Sequence, residues 1–427
     1  MGGLIGANPA TLNALTWGIA GLATAGVITR PFRWPEAVWA VAGAALLVLL
    51  GLIPIQGALA GIARGTDVYL FLVGMMLLAE LARQEGLFDW LAALATGFAR
   101  GSATRLFTLV YGVGTVVTVF LSNDATAVVL TPAVYAAAKA AKVREPLPYL
   151  FICAFIANAA SFVLPISNPA NLVVFGDHMP PLRAWLARFA LPSALSILAT
   201  YAVLRLTQAR ALAAETVATD VAREPLTTGG RIAGLGIVLT ALALTAASAL
   251  GRDLGPPTLA MGTLTAAVVL LVKRESPAAV VRDISWGVLP LVAGLFVLVE
   301  ALQRTGLIRM LADALRAAAA DSATGTAWGA GLLVAVACNL VNNLPAGLIA
   351  GSTVQAAQVP DAVTGAVLIG VDLGPNLSVT GSLATILWLT ALRREGEDVG
   401  AWTFLKLGLL VTPPALVLAI AALLWVG

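Results

Sequence analysis

Apolar stretches long enough to enter a bilayer recur from one end of this chain to the other, and that pattern restricts the fold more than any single motif. Stretches of this kind bury themselves in lipid or against one another. Of the 427 residues, 59% are hydrophobic and 11% charged, against about 25% charged in soluble domains. A water-facing surface drawn from this composition would be mostly apolar, so lipid is the expected solvent and an all-α polytopic membrane protein the expected class. The net charge of +3 is too small to point to nucleic acid. The opening MGGLIGANPATLNALTW carries no basic region of a cleaved leader. Cys153 and Cys338 lie in apolar stretches and read as small packing residues rather than a disulfide or a metal site. His178, the one histidine, sits beside Met179 and Pro180 and reads as a solvated loop residue. With no metal-ligand cluster and no nucleophile–base pair, neither an enzyme nor a cofactor is expected.

The chain repeats itself. VGMMLLAELARQEGL (73–87) overlies AGLFVLVEALQRTGL (293–307) at a shift of 220, which puts Gly74 on Gly294, Glu80 on Glu300 and Gly86 on Gly306. At a shift of 219, LSNDATA (121–127) overlies LVNNLPA (340–346). Residues 1–207 and 231–427 are therefore read as two repeats joined by a polar linker, 208–230. Each half holds three apolar helices, an amphipathic stretch (86–101; 306–320) and two apolar arms around a short polar break. A helix interrupted by Pro and Asn and a final helix follow. Taken as re-entrant hairpins, the arms leave five spans per half. An odd number inverts the second half, giving about ten spans, two hairpins and two broken helices. Inverted repeats meeting at broken helices are a transporter signature. Eighteen of the 25 Lys and Arg residues, Arg223 among them, then fall on one side. That side should be cytoplasmic, with both termini periplasmic or extracellular at a plasma (inner) membrane.

Four irregular polar runs fall at membrane depth. They are Ser122-Asn123-Asp124 with Thr126, Ser167 to Asn171, Asn342-Asn343 before Pro345, and Asp372 to Asn376 followed by Ser378, Thr380 and Ser382. Hydrocarbon tolerates opened backbone only where protein or water satisfies it, so the four runs point to one cavity. The expected substrate ligands are Ser122, Asn123, Thr126, Asn168, Asn171, Asn342, Asn343, Asn376, Ser378 and Thr380. Asp124 and Asp372 are sharper signals, because a carboxylate in the bilayer costs roughly 2.5–3.5 kcal/mol. Each is read as a proton carrier, with a Na⁺ ligand as the alternative. Asp124 faces Asn343 across the repeat, and Asp372 has no acidic counterpart. Glu80 and Glu300 each lie one turn from a basic residue, and an interfacial ion pair accounts for them.

These runs resemble the arsenite/antimonite efflux permeases, the ArsB type, of the ion transporter superfamily. FLSNDATAVVLTPAV (120–134) and NNLPAG (342–347) resemble the family's two hairpins, and PISNPANLVVFG (165–176) and GVDLGPNLSVTGSLATILW (370–388) its two broken helices. The resemblance implies export of trivalent arsenite or antimonite against protons, and an optional soluble ATPase of the ArsA type. It leaves monomer and homodimer open. Dicarboxylate relatives carry Ser-Asn-Thr at both tips, which this chain lacks. A Na⁺-coupled anion symporter and a Na⁺/H⁺ antiporter are the alternatives. No Lys or Arg falls in the four runs, as an anion site would prefer, and the cysteines are not expected to bind substrate.

Overall fold

The computed structural model describes residues 8–218 and 225–427. Arg223, six linker positions in all, and the first seven residues lie outside them. Every regular element among the described residues is helical. The first half runs α1 (Pro9–Thr29), α2 (Glu36–Leu49), α3 (Ile55–Arg64), α4 (Thr66–Gln84), α5 (Leu87–Ala99), α6 (Ala103–Phe120), α7 (Asn123–Ala125) and α8 (Thr131–Ala140). It continues with α9 (Leu147–Ala159), α10 (Pro169–Phe175) and α11 (Leu182–Thr207), and α12 (Ala209–Ala214) opens the linker. The second half holds α13 (Thr228–Ala249), α14 (Gly255–Lys273), α15 (Ala278–Asp283), α16 (Val288–Arg304), α17 (Leu307–Asp321) and α18 (Ala323–Val341). After it come α19 (Asn343–Ala357), α20 (Asp361–Leu373), α21 (Leu383–Arg394) and α22 (Ala401–Val426).

By length and apolarity, seven described helices can cross a membrane, or nine if the bent pairs α3–α4 (49°) and α16–α17 (73°) each count once. Of the ten expected spans, α2 and the broken helices α9–α10 and α20–α21 fall outside this set, because their helices have 14, 13 and 7, and 13 and 12 residues, short of the roughly 20 that a straight span needs. The seven include α6 and α18, the first arms of the expected hairpins.

Two groups of helices emerge from the packing. In one, α4 lies along α14 and α16 along α2, with α1, α3, α13 and α15 beside them. Glycines permit both close crossings. A Cβ at Gly74 would lie 2.4 Å from the Thr258 carbonyl oxygen, and one at Gly294 would lie 2.7 Å from the Ala40 backbone. In the other group α18 packs on α20, α11 on α22 and α10 on α19. Among the described residues, each ion pair that joins two helices stays within one group: Arg64–Glu300, Arg83–Asp283, Arg188–Asp361 and Arg30–Glu36.

Those pairs also sort the ends of the first group. Arg64 and Arg83 bracket α4, roughly 28 Å apart at 1.5 Å per residue. At the Arg83 end, Lys273 Nζ meets Glu85 Oε1 at 2.8 Å and the Thr227 hydroxyl donates to the Glu85 carbonyl. At the Arg64 end, Asn13 and Trp17 of α1 both donate to Thr305. The described part of the linker touches the α8–α9 loop, where Glu215 accepts from the Arg144 and Glu145 amides.

Candidate functional site

Both arm-break-arm segments double back. Thr118 and Thr126 hydroxyls meet at 2.8 Å, although eight residues of continuous helix would separate them by about 12 Å. The turn is made at Leu121-Ser122, where the Ser122 hydroxyl caps the new helix by accepting from the Ala125 amide. A π-helical turn over Thr126–Leu130 follows, a feature that widens a helix and recurs at functional sites. The second tip turns at Asn342, whose φ of 70° is one that Asn tolerates better than most residues. Its Oδ1 caps α19 by accepting from the Leu344 amide.

Each tip is tied to the broken helix of its own half. The Ser167 hydroxyl donates to the Val119 carbonyl at 2.9 Å. In the second half, Asn342 Nδ2 donates to the Thr380 carbonyl and the Asn343 amide to the Gly381 carbonyl. Ser378 donates to Asn339 Oδ1, and Asn339 Nδ2 to the Gly374 carbonyl. The two breaks also grip one another across the halves. Asn168 Nδ2 donates to Asp372 Oδ1 at 2.7 Å, and Asn158 Nδ2 to Asn376 Oδ1 at 2.9 Å.

The expected ligands are thus assembled, but they do not all face one space. A cavity of about 100 Å³ lies between α4, the first tip and the segment before α16. Ser122 and Asp124 line it, with Pro169, Leu383, Leu387, Met75, Met76 and Glu80. Asp283 and Ser285 stand at the Arg83 end of this lining. Among the described residues, no Lys or Arg lines it. Asp124 is partly exposed, and Asp372 is fully buried away from this wall.

Most of the expected Asn ligands have structural partners. Asn171 Nδ2 sits among the carbonyls of Ser161, Leu164 and Pro165. Asn376 donates to the Phe155 carbonyl while accepting from Asn158. Asn123 Oδ1 accepts from the Asp124 amide, and Thr126 is taken up by Thr118. The physical reason is the opened backbone itself. Carbonyls freed where a helix breaks must find donors inside the protein, and the Asn amides are those donors. Glu80 pairs with Arg83 and Gln84, and Glu300 with Arg304 and Arg64, the ion-pair geometry expected of them. Only Glu80 also reaches the cavity.

Asn158, Ser161 and Asn339 escaped the sequence reading. Asn158 and Ser161 stand in FICAFIANAASF (151–162) as isolated polar residues, whereas the reading sought runs. An amide alone in an apolar helix would have flagged them.

A family model described as citrate transporter (CitMHS) matches residues 24–375. The arsenical pump membrane protein of Escherichia coli (strain K12) is 27% identical over 368 residues, covering 82% of this chain and 84% of that protein. The protein of the same name from Yersinia enterocolitica is 28% identical over 369 residues, with the same coverage. An uncharacterized transporter of Mycobacterium tuberculosis is 26% identical over 427 residues, 93% of this chain and 95% of that one. In overall fold the chain resembles the Alcanivorax borkumensis YdaH transporter, with a TM-score of 0.61 at 17% identity, 99% of this chain and 98% of that chain being covered. A breadth of match this large, over apolar helices and a buried polar centre, makes the protein a multi-pass membrane transporter that belongs to the citrate transporter (CitMHS) family and is similar to the arsenical pump membrane proteins.

Proposed function

We propose that this transporter exports neutral trivalent arsenite or antimonite hydroxides in exchange for protons. The observation that carries the reading is the cavity wall: the Asp124 carboxylate beside the Ser122 hydroxyl, with Glu80 and Asp283 paired to Arg83 and no Lys or Arg among the described lining residues. Arsenous acid is uncharged at physiological pH and presents hydroxyls, so a wall of this kind can bind it by hydrogen bonds. A citrate or dicarboxylate anion would instead meet Asp124 with no free cation in the described lining, because Arg83 is taken up by Glu80 and Asp283. Because Asp124 lines the cavity, we assign proton exchange to it. Asp372, the other expected carrier, is given the task of joining the breaks.

The remaining parts of the reading are architectural. The reciprocal crossings of α4 on α14 and α16 on α2 support two inverted halves. Ion pairs confined within each group of helices support movement of the hairpin and broken-helix group against the other during alternating access. The Arg83 end is assigned to the cytoplasm, and both termini to the periplasm or outside, at the inner membrane. In this orientation the cavity loads from the cytoplasm, as an exporter requires.

The test is As(III) or Sb(III) uptake into everted vesicles under an imposed pH gradient, with and without Na⁺, ATP absent throughout. Uptake that follows the pH gradient alone is expected, and an ArsA-type ATPase would then be an accessory. Uptake that needs Na⁺, or citrate uptake without any for As(III), would replace the reading with an anion symporter.

Thiols have no part in it. Cys153 and Cys338 are both free and buried, and neither lines the cavity. The double variant Cys153→Ser, Cys338→Ser should keep As(III) uptake within about twofold of the parent at equal protein level, since neither thiol reaches the cavity wall and serine keeps the size of the side chain. Abolished uptake at an unchanged protein level would mean that thiolates take part in binding.

A further inference from the structure

Two thioethers stand in the cavity wall across from the Ser122–Asp124 tip. Met75 and Met76 occupy the middle of the α4 stripe that lines the cavity, at 71, 72, 75, 76, 79 and 80. This spacing keeps one side of a helix turned toward the same space. Met75 is buried and Met76 half-buried. Among the described residues they are the only sulfurs in the wall, since both cysteines lie elsewhere.

Methionine commonly fills uneven gaps in a core, and the repeat shows what filling alone takes at this position. At the shift of 220, α4 and α16 agree at Gly74 and Gly294, Leu78 and Leu298, and Glu80 and Glu300. Between these matches, Met75 and Met76 fall on Leu295 and Phe296. Leu295 is buried, and Phe296 packs edge-on against Tyr69 with ring centres 6.2 Å apart. Neither lines the Asp124 cavity. Hydrocarbon therefore meets the packing need in the copy that faces protein, and sulfur stands in the copy that faces the cavity. Leu and Met exchange at little cost in a core, so bulk alone does not call for sulfur here.

A trivalent arsenic or antimony hydroxide carries its hydroxyls around a heavy, polarisable centre that is electron-poor opposite each bond to oxygen. A hydroxyl or a carboxylate recognises the hydroxyls, as it would those of any small polyol. The central atom is recognised by a soft donor, and a thioether is one. It does not ionise and forms no covalent bond with the centre, so contact is made and broken without loss of water or movement of a proton. We propose that Met75 and Met76 are specificity-determining residues whose sulfurs contact the central atom while Ser122 and Asp124 take the hydroxyls. The assignment rests on the export reading and names what in the cavity selects that substrate. The contact grows with polarisability, so Sb(III) gains more from it than As(III).

The test measures pH-gradient-driven uptake of As(III) and of Sb(III) into everted vesicles over a range of concentrations. The double variant Met75→Leu, Met76→Leu should raise KM for As(III) about tenfold and for Sb(III) further, with the maximal rate within about twofold of the parent, the signature of lost binding rather than lost coupling. Parent protein made with selenomethionine, whose selenium is the softer donor, should show a lower KM for both. The double variant made the same way should not respond, which assigns the selenium effect to these two of the six methionines. If the double variant fails to reach the membrane, the selenium comparison in the parent decides alone. Parental KM values in the double variant would overturn the assignment, as would an equal rise for both species with no selenium effect, which would leave these side chains to shape the cavity only. A parent chain that takes up neither As(III) nor Sb(III) would overturn the export reading, and this assignment with it.

Discussion

Asp124→Asn is expected to bring pH-gradient-driven As(III) accumulation in everted vesicles down to the level seen after the gradient is collapsed. Among the described residues, the carboxyl lines the cavity and has neither an ion-pair nor a hydrogen-bond partner for its side-chain oxygens. Its replacement by an amide of the same shape therefore removes the exchangeable proton and little else. Protein level and melting temperature should stay close to the parent's, because no buried contact is broken. Downhill As(III) movement along its own gradient should survive, since the Ser122 hydroxyl and the cavity volume are unchanged. Asp124→Glu, which keeps the acid and lengthens its arm by one methylene, should recover part of the driven uptake. Parental uptake in Asp124→Asn would remove this residue from coupling and return the question to Glu80 and Asp283, the other acids that line the cavity.

The sequence announced where this fold opens its backbone, and it did so clearly. Ser122, Pro169, Asn342 and Pro375 stand within a few residues of the places where a helix stops, because Pro lacks a backbone donor and Ser and Asn side chains cap helix ends, although α11 and α22 carry Pro192, Pro413 and Pro414 inside them. Gly74 and Gly294, aligned by the repeat, both lie where two helices cross too closely for a Cβ, a role their spacing did not announce. Partner choice was not readable. Asn168 and Asp372 are 204 residues apart, and any of the Asn residues in the four runs could have faced Asp372 on spacing alone. The division of labour followed from this: amides that read as substrate ligands are occupied by the carbonyls which the breaks expose. Asn158 was missed for the opposite reason, being a single amide in an otherwise apolar helix rather than part of a run.

The second large effect should come from Asn168, which performs two tasks with its two ends. Its Oδ1 caps α10 by accepting from the Ala170 amide at 2.9 Å, and its Nδ2 holds Asp372 Oδ1 at 2.7 Å. Asn168→Ala removes both. A lost N-cap costs about 1 kcal/mol, and a buried acceptor stripped of its donor roughly 1–3 kcal/mol more. The melting temperature should fall by several degrees and driven As(III) uptake should be largely lost. Asn168→Ser separates the two tasks, because a serine hydroxyl can still cap α10 but is one bond too short to take the place of the amide on Asp372. If the cap dominates, the serine variant melts and transports like the parent. If the tie between the broken helices dominates, as a fully buried carboxylate with one remaining donor implies, the serine variant should fail almost as badly as the alanine variant in transport while recovering part of its stability. Parental transport in both variants would mean that the two broken helices work without being held together at this point, and that Asp372 finds its donor elsewhere.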